Sequence, residues 1–182
     1  MSYLQDSAAQ LKVFEADVPW PYLDTKGNVT FAVGFMAPDL ASFLTYPWTS
    51  PDGCVSDPAD VATAWRTVSA MLPGRVAGYY HYPGCLTLPQ AARDGLLMAK
   101  LTTLDGQLSA AFDDYEGFPE PAKLALIDMV WNLGFEGLMH GYPRLDAAVK
   151  IQDWKTCALE CYRNGPDLAR NDWTRDQFLA AA

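Results

Sequence analysis

Histidine, basic residues and long apolar runs are scarce in this sequence. It has only two histidines in 182 residues, and 13 lysines and arginines stand against 22 aspartates and glutamates, so the net charge is −9. A negative field of this kind repels phosphate backbones and anionic lipids. No apolar run reaches the roughly 20 residues that cross a bilayer. The composition therefore predicts a globular protein with neither nucleic-acid nor membrane partners.

The N-terminus MSYLQDSAAQL lacks the basic segment and the apolar stretch of a signal peptide. If the protein works outside the cytoplasm, we expect another delivery route or a longer parent chain.

The four cysteines and two histidines do not form a zinc pattern, so we expect no metal and no cofactor. Cys157 and Cys161 lie one helical turn apart, a spacing poorly suited to a mutual disulfide. Cys54 and Cys85 bracket one long segment and can bridge it in an oxidising compartment, with buried free thiols as the alternative.

Hydrophobic periodicity in the first half predicts two helices and one hairpin. Residues 2–15 have helical apolar spacing, and residues 21–35 combine a turn-rich centre with β-branched and aromatic residues. Pro58 follows an N-cap signal and opens a helix over residues 58–72, which Pro73-Gly74 ends.

The second half reads as helical throughout. A helix beginning near Thr87 is predicted to kink or break near Gly106, and an almost entirely apolar helix ends at Gly134. Such a helix belongs in the middle of a domain. One or two helices follow within residues 142–163, and a last one within 170–181. We predict a single, mostly helical α+β domain.

Three polar residues around the predicted hairpin are of the types that glycoside cleavage needs. One carboxylic acid must protonate the leaving oxygen, and a second carboxylate must stabilise the oxocarbenium-like transition state. The acid works best in a partly apolar setting, while its partner stays ionised. Glu15 ends the first predicted helix, with Phe14 and Trp20 close in sequence, and Asp24 lies nine positions later in the turn. Thr30 lies six positions further, where its hydroxyl can orient a water.

This spacing, with Asp-Thr-x-Gly at the turn, resembles the phage-type lysozymes of glycoside hydrolase family 24. Residues 125–134, ALIDMVWNLG, are similar to the buried central helix of that family. Weaker similarity runs through residues 86–112 and from residue 145 onward, so the resemblance covers about two-thirds of the chain.

The resemblance implies a lysozyme-like fold with an N-terminal helix, a small hairpin lobe and a helical lobe around the central helix. Residues 1–182 would form one domain, with the hairpin at 21–35, an insertion at about 36–85 and the helical lobe at 86–182. That insertion is either a surface elaboration with its own apolar patch or a flap or docking surface.

The resemblance also implies muramidase activity, the hydrolysis of the β-1,4 bond between N-acetylmuramic acid and N-acetylglucosamine in peptidoglycan. Glu15 would be the general acid, Asp24 the second carboxylate and Thr30 the residue that places the water. Three further residues are candidates for holding the sugar: Tyr22, Trp131 and Asn132. Asp128 shares a helix face with Asn132, so this polar stripe reaches either the cleft or a buried hydrogen-bond network.

Three positions depart from the family pattern. Ala16 and Ala32 replace glycines, and Phe35 stands where a histidine is usual. These changes affect the expected geometry of the cleft more than the catalytic groups.

The acidic charge suggests that the protein is delivered close to its substrate, in the bacterial periplasm or cell wall, by a phage or a secretion machine. We expect a monomer whose partner is the glycan strand, and an antibacterial toxin of this kind would also need an immunity protein. The alternatives are a chitosan- or chitin-cleaving glycosidase and a catalytically silent module that binds the cell wall.

Overall fold

The computed structural model describes residues 2–182 and divides the chain into two compact units. One unit is Glu15–Leu97, and the other joins the residues up to Phe14 with Met98–Ala182. In chain order the elements are α1 (Tyr3–Phe14), β1 (Val18–Leu23), β2 (Val29–Ala32), β3 (Phe35–Met36), α2 (Leu40–Phe43), α3 (Pro58–Ser69), a 3-10 helix (Ala77–Tyr80), α4 (Gln90–Ala111), a 3-10 helix (Tyr115–Gly117), α5 (Glu120–Leu133), α6 (Phe135–Gly141), α7 (Pro143–Lys150), α8 (Trp154–Glu160) and α9 (Leu168–Ala180). The predicted α+β, predominantly helical class is confirmed.

The unit Glu15–Leu97 is built on an antiparallel sheet in the order β1-β2-β3. The hairpin begins at Val18, three residues before the predicted start, and gains a third strand at its end. Tyr22 pairs with Thr30 across β1 and β2, and directly opposed residues of an antiparallel pair place their side chains on the same face. The register therefore puts these two candidate residues side by side.

Aromatic side chains join the hairpin to the segment predicted as an insertion. Phe31 of β2 contacts Phe43 and Trp48 with ring centroids 6.2 and 5.2 Å apart, and all three are buried. Phe43 and Trp48 stack at 4.5 Å, and the Trp48 indole donates a hydrogen bond to the Phe43 carbonyl. The segment thus shares a core with the sheet, and its apolar residues do not form a separate patch.

Helix α3 begins as the sequence predicted. The Asp57 carboxylate accepts hydrogen bonds from the Ala59 and Asp60 amides, and Pro58 takes the first helical position. The helix ends at Ser69, three residues before the predicted end.

Helix α5 is the centre of the other unit. Its residues from Ala125 to Val130 are all buried, and it packs against α1, α6 and α9. Gly134 ends it with φ +73° and ψ +161°, a conformation that side chains rarely tolerate. The predicted central helix and its glycine stop are therefore confirmed.

Two features of the helical part differ from the prediction. α4 continues unbroken through Gly106, because one exposed glycine weakens a long helix without ending it. α6 begins directly after Gly134, where no helix was expected. Residues 142–163 contain two helices, α7 and α8, which agrees with the one or two that were predicted. Within residues 2–182, the helices are all too short or too polar to cross a bilayer.

Candidate functional site

The Asp24 carboxylate organises the turn between β1 and β2. Its Oδ1 accepts hydrogen bonds from the Lys26 and Asn28 amides, both at 2.8 Å, and its Oδ2 accepts one from the Asn28 side chain at 2.9 Å. Partial burial alone would raise the pKa of this carboxyl, but the hydrogen bonds from Asn28 and Lys26 hold its pKa below the usual value. Asp24 is therefore a persistent negative charge.

Asn28, part of the turn-rich centre of the predicted hairpin, is a further member of this site. Its backbone amide and side-chain amide both donate to Asp24, and its carbonyl accepts from the Asp24 amide at 3.0 Å. Aspartate and asparagine commonly bond to the backbone of tight turns. An asparagine four positions after the candidate carboxylate was therefore a usable signal.

Tyr22 lies within electrostatic reach of both candidate carboxylates. Burial raises the pKa of the Tyr22 phenol, and the negative charges of Glu15 and Asp24 raise it further. The half-buried ring also packs on Tyr80, with ring centroids 6.4 Å apart. The Tyr22 phenol is therefore influenced by both negative charges.

Thr30 stands opposite Tyr22 and is only 5% exposed. Its hydroxyl donates to the Asn28 carbonyl at 3.1 Å, so its remaining capacity is to accept hydrogen bonds. A water that meets Thr30 would therefore donate to it.

Glu15 follows the end of α1 and is half-buried. The aromatic neighbours expected to shield it have contacts of their own. Phe14 meets Trp173 edge to face at 5.4 Å, and the Trp20 indole donates to the Ala77 carbonyl at 2.9 Å.

Two of the predicted sugar-binding residues lie at the C-terminal end of α5, in the other unit. Trp131 is half-buried and Asn132 is exposed. The structure thus groups Glu15, Tyr22, Asp24 and Thr30 in one unit and Trp131 with Asn132 in the other.

Asp128, on the same helix, belongs to a buried network. Its Oδ2 accepts from Arg163 at 2.6 Å and from the Thr174 hydroxyl at 2.8 Å, and its Oδ1 accepts from Arg170 at 2.9 Å. All four side chains are buried. Of the two destinations predicted for this polar stripe, Asp128 occupies the buried network.

Two of the positions that differ from the lysozyme-like sequence pattern, Ala32 and Phe35, lie in the sheet. Ala32 is fully buried with φ +51°, and Gly34 has φ +77°, both in the left-handed region that favours glycine. Phe35 begins β3 and pairs with Phe31. Ala32 therefore adopts a left-handed backbone conformation that a glycine would adopt with less strain.

The cysteines are free thiols. Cys54 is exposed, whereas Cys85, Cys157 and Cys161 are buried, so three of the four match the expectation of buried free thiols. Among residues 2–182, no three histidine, cysteine or acidic side chains gather as a metal site would require.

A scan of the chain against models of protein families found no match, and a search of curated proteins found none either. The choice of a function therefore rests on the residues of the hairpin and their geometry.

Proposed function

We propose that the protein is a peptidoglycan muramidase of the phage-type lysozyme kind, with a lysozyme-like fold. The observation that carries the proposal is that one unit holds the Glu15 and Asp24 carboxylates together with Tyr22 and Thr30, which are directly opposed across β1 and β2. Retaining and inverting glycosidases alike use two carboxyl groups that flank the scissile bond. The spacing of these residues and the central-helix block in the sequence support the same activity.

The environments of the two carboxylates suggest different roles. Hydrogen bonds within the turn keep Asp24 ionised, so it stabilises the positive charge that develops on the sugar ring. Glu15, half-buried beyond the end of α1, donates its proton to the leaving oxygen. Thr30 accepts a hydrogen bond from the attacking water, because its own proton is directed to the Asn28 carbonyl.

The proposed site of action is the bacterial periplasm or cell wall. A net charge of −9 gives no electrostatic attraction to an anionic wall, which supports delivery close to the substrate. An immunity protein that blocks the carboxylates is the partner proposed for a producing cell.

A second candidate, a silent wall-binding module, has one observation in its favour. Asp24 already accepts three hydrogen bonds within its turn, and Thr30 donates to a backbone carbonyl. Groups engaged in this way can hold a turn together without catalysing a reaction.

Purified peptidoglycan sacculi test the proposal directly. We expect the wild-type protein to lower sacculus turbidity and to release reducing ends. Glu15→Gln should reduce the rate at least about 100-fold, the lower range for loss of a general acid. Glu136→Gln is the matched control, because it makes the same change at a side chain that is 81% exposed on α6.

The outcomes separate the alternatives. Saccharide binding without released fragments would assign the silent module. Cleavage of chitosan or chitin oligomers with sacculi left intact would assign the other glycosidase class. Equal loss of rate in both glutamine variants would remove Glu15 from the role of acid.

A further inference from the structure

A pocket of about 510 Å³ opens between two turns of the unit Glu15–Leu97. Its lining residues include Thr49, Ser50, Gly53, His81, Tyr82 and Thr87. Small-molecule sites typically measure about 300 to 1,000 Å³, so the pocket has room for one or two sugar rings. The residues proposed for catalysis do not belong to its lining.

The pocket is preformed by a backbone pair. The Thr49 amide donates to the Thr87 carbonyl at 2.8 Å, and the Thr87 amide donates to the Thr49 carbonyl at 2.9 Å. The two hydroxyls lie 3.2 Å apart. Each wall is a hydrogen-bonded turn, closed by Ser50 with Cys54 on one side and by Tyr82 with Cys85 on the other. A ligand would therefore meet fixed groups and lose little free energy in ordering them.

The side chains that line the pocket are mostly neutral. Among the described residues, those that line it include no aspartate, glutamate, lysine or arginine. The Asp52 carboxylate, in the turn that forms one wall, accepts hydrogen bonds from the Ser50 hydroxyl and the Cys54 amide. Burial raises the pKa of the Cys85 thiol, which keeps the other wall neutral. The Thr49 hydroxyl donates to the Thr87 carbonyl and the Ser50 hydroxyl donates to the Asp52 carboxylate, so both can accept hydrogen bonds from the hydroxyl or amide groups of a ligand.

Aromatic rings form another part of the lining. His81 packs against Trp20 with ring centroids 4.5 Å apart, and the bond from Trp20 to the Ala77 carbonyl anchors that pair. Tyr82 lies next to His81 and is half-buried. Flat aromatic faces beside fixed hydroxyls match a pyranose ring, which has an apolar face and a hydroxyl rim.

We propose that this pocket binds a neutral acetamido sugar of the glycan strand, as an accessory site apart from the carboxylates. The choice of a sugar among neutral ligands rests on the proposed function. The stem peptides of peptidoglycan carry carboxylates and ammonium groups, and the lining has no charged side chain to pair with them.

The test is an NMR titration with N,N′-diacetylchitobiose, carried out on Glu15→Gln so that no probe is consumed. We expect saturable shifts of the amides in residues 49–53 and 81–87. Thr49→Val and His81→Ala should each weaken that binding about five- to tenfold, the effect of one lost hydrogen bond or ring contact. Thr45→Val is the matched control, because its exposed hydroxyl donates to the Ser42 carbonyl outside the pocket.

The titration and the sacculus assay distinguish failure of the pocket proposal from failure of the muramidase proposal. Shifts confined to the surroundings of Asp24, or no saturable shift, would overturn the pocket and leave the sacculus assay to decide catalysis. A muramyl stem peptide that binds in the pocket in place of the disaccharide would also overturn it. If the disaccharide binds in the pocket but the wild-type protein releases no reducing ends from sacculi, the pocket proposal stands and the muramidase proposal is rejected.

Discussion

The Asp24 carboxylate fixes the turn and also presents a negative charge on the hairpin. Folding lowers the pKa of this carboxyl. Its contribution to stability is therefore fully present above the unfolded aspartate pKa of about 3.9 and is lost as the pH falls through the lower folded value.

This dependence gives a first prediction. Asp24→Asn should lower the melting temperature at neutral pH, and the difference from wild type should shrink as the pH falls below about 4. Thermal unfolding followed by circular dichroism across pH measures it. Asp113→Asn, an exposed aspartate outside the turn, is the control. A difference that stays constant with pH would show that the charge of Asp24 does not stabilise the turn.

The second prediction concerns Asp128, which is 2% exposed and balances two buried arginines, Arg163 and Arg170. Asp128→Asn should cost about 3 to 5 kcal/mol in the free energy of unfolding, because it leaves buried cations uncompensated. Asp172→Asn removes an exposed pair with Arg175 and should cost less than about 1 kcal/mol. Urea denaturation measures both, and equal costs would contradict the role of the buried network.

At the scale of elements, helix starts and stops were the most predictable features. Asp57-Pro58 and Gly134 act through their own backbone geometry, which a local sequence pattern carries. β3 and α6 were missed because Phe35–Met36 becomes a strand only by pairing with β2, and Phe135–Gly141 has no side-chain N-cap.

The candidate site shows the same division. Glu15, Asp24 and Thr30 were predicted from their spacing in a short stretch of sequence, and the structure places Asp24 in the turn and Thr30 on the returning strand of one hairpin, whose register follows from the chain. The partners of Asp128 lie 35 and 42 residues away, so no local pattern could select Arg163 and Arg170. The sequence alone therefore could not decide whether Asp128 reaches a cleft or a buried hydrogen-bond network.

The third prediction tests the end of α5. Gly134→Ala should destabilise the protein by about 1 to 3 kcal/mol, because φ +73° with ψ +161° belongs almost entirely to glycine. An added Cβ would meet nothing within 4 Å, so the cost is one of the backbone alone. Gly106→Ala is the matched control within α4, also in open space, and should stabilise by up to about 1 kcal/mol. Chemical denaturation that gives the same sign for both would contradict this account.

At the scale of the whole molecule, the net charge of −9 would oppose the approach of the proposed muramidase to an anionic cell wall. Salt screens repulsion between exposed charges, with a Debye length near 8 Å at about 0.15 M ionic strength. We therefore predict that kcat/KM on anionic sacculi rises between about 0.01 and 0.15 M salt. Turnover of a neutral, soluble chitooligosaccharide should stay level and serves as the control. A fall with added salt on sacculi would show that a local basic surface outweighs the net charge.

The pKa of the Tyr22 phenol can be used to measure the electrostatic potential that the two carboxylates produce at the hairpin. Its pKa is raised by burial and by the charges of Glu15 and Asp24, so neutralising either carboxylate should lower it. Carbon-13 labelling of the nine tyrosines would let NMR follow Tyr22 through an alkaline titration in Glu15→Gln and in Asp24→Asn. The two displacements would rank the potentials that the carboxylates exert at one fixed point, and would do so before any substrate is known.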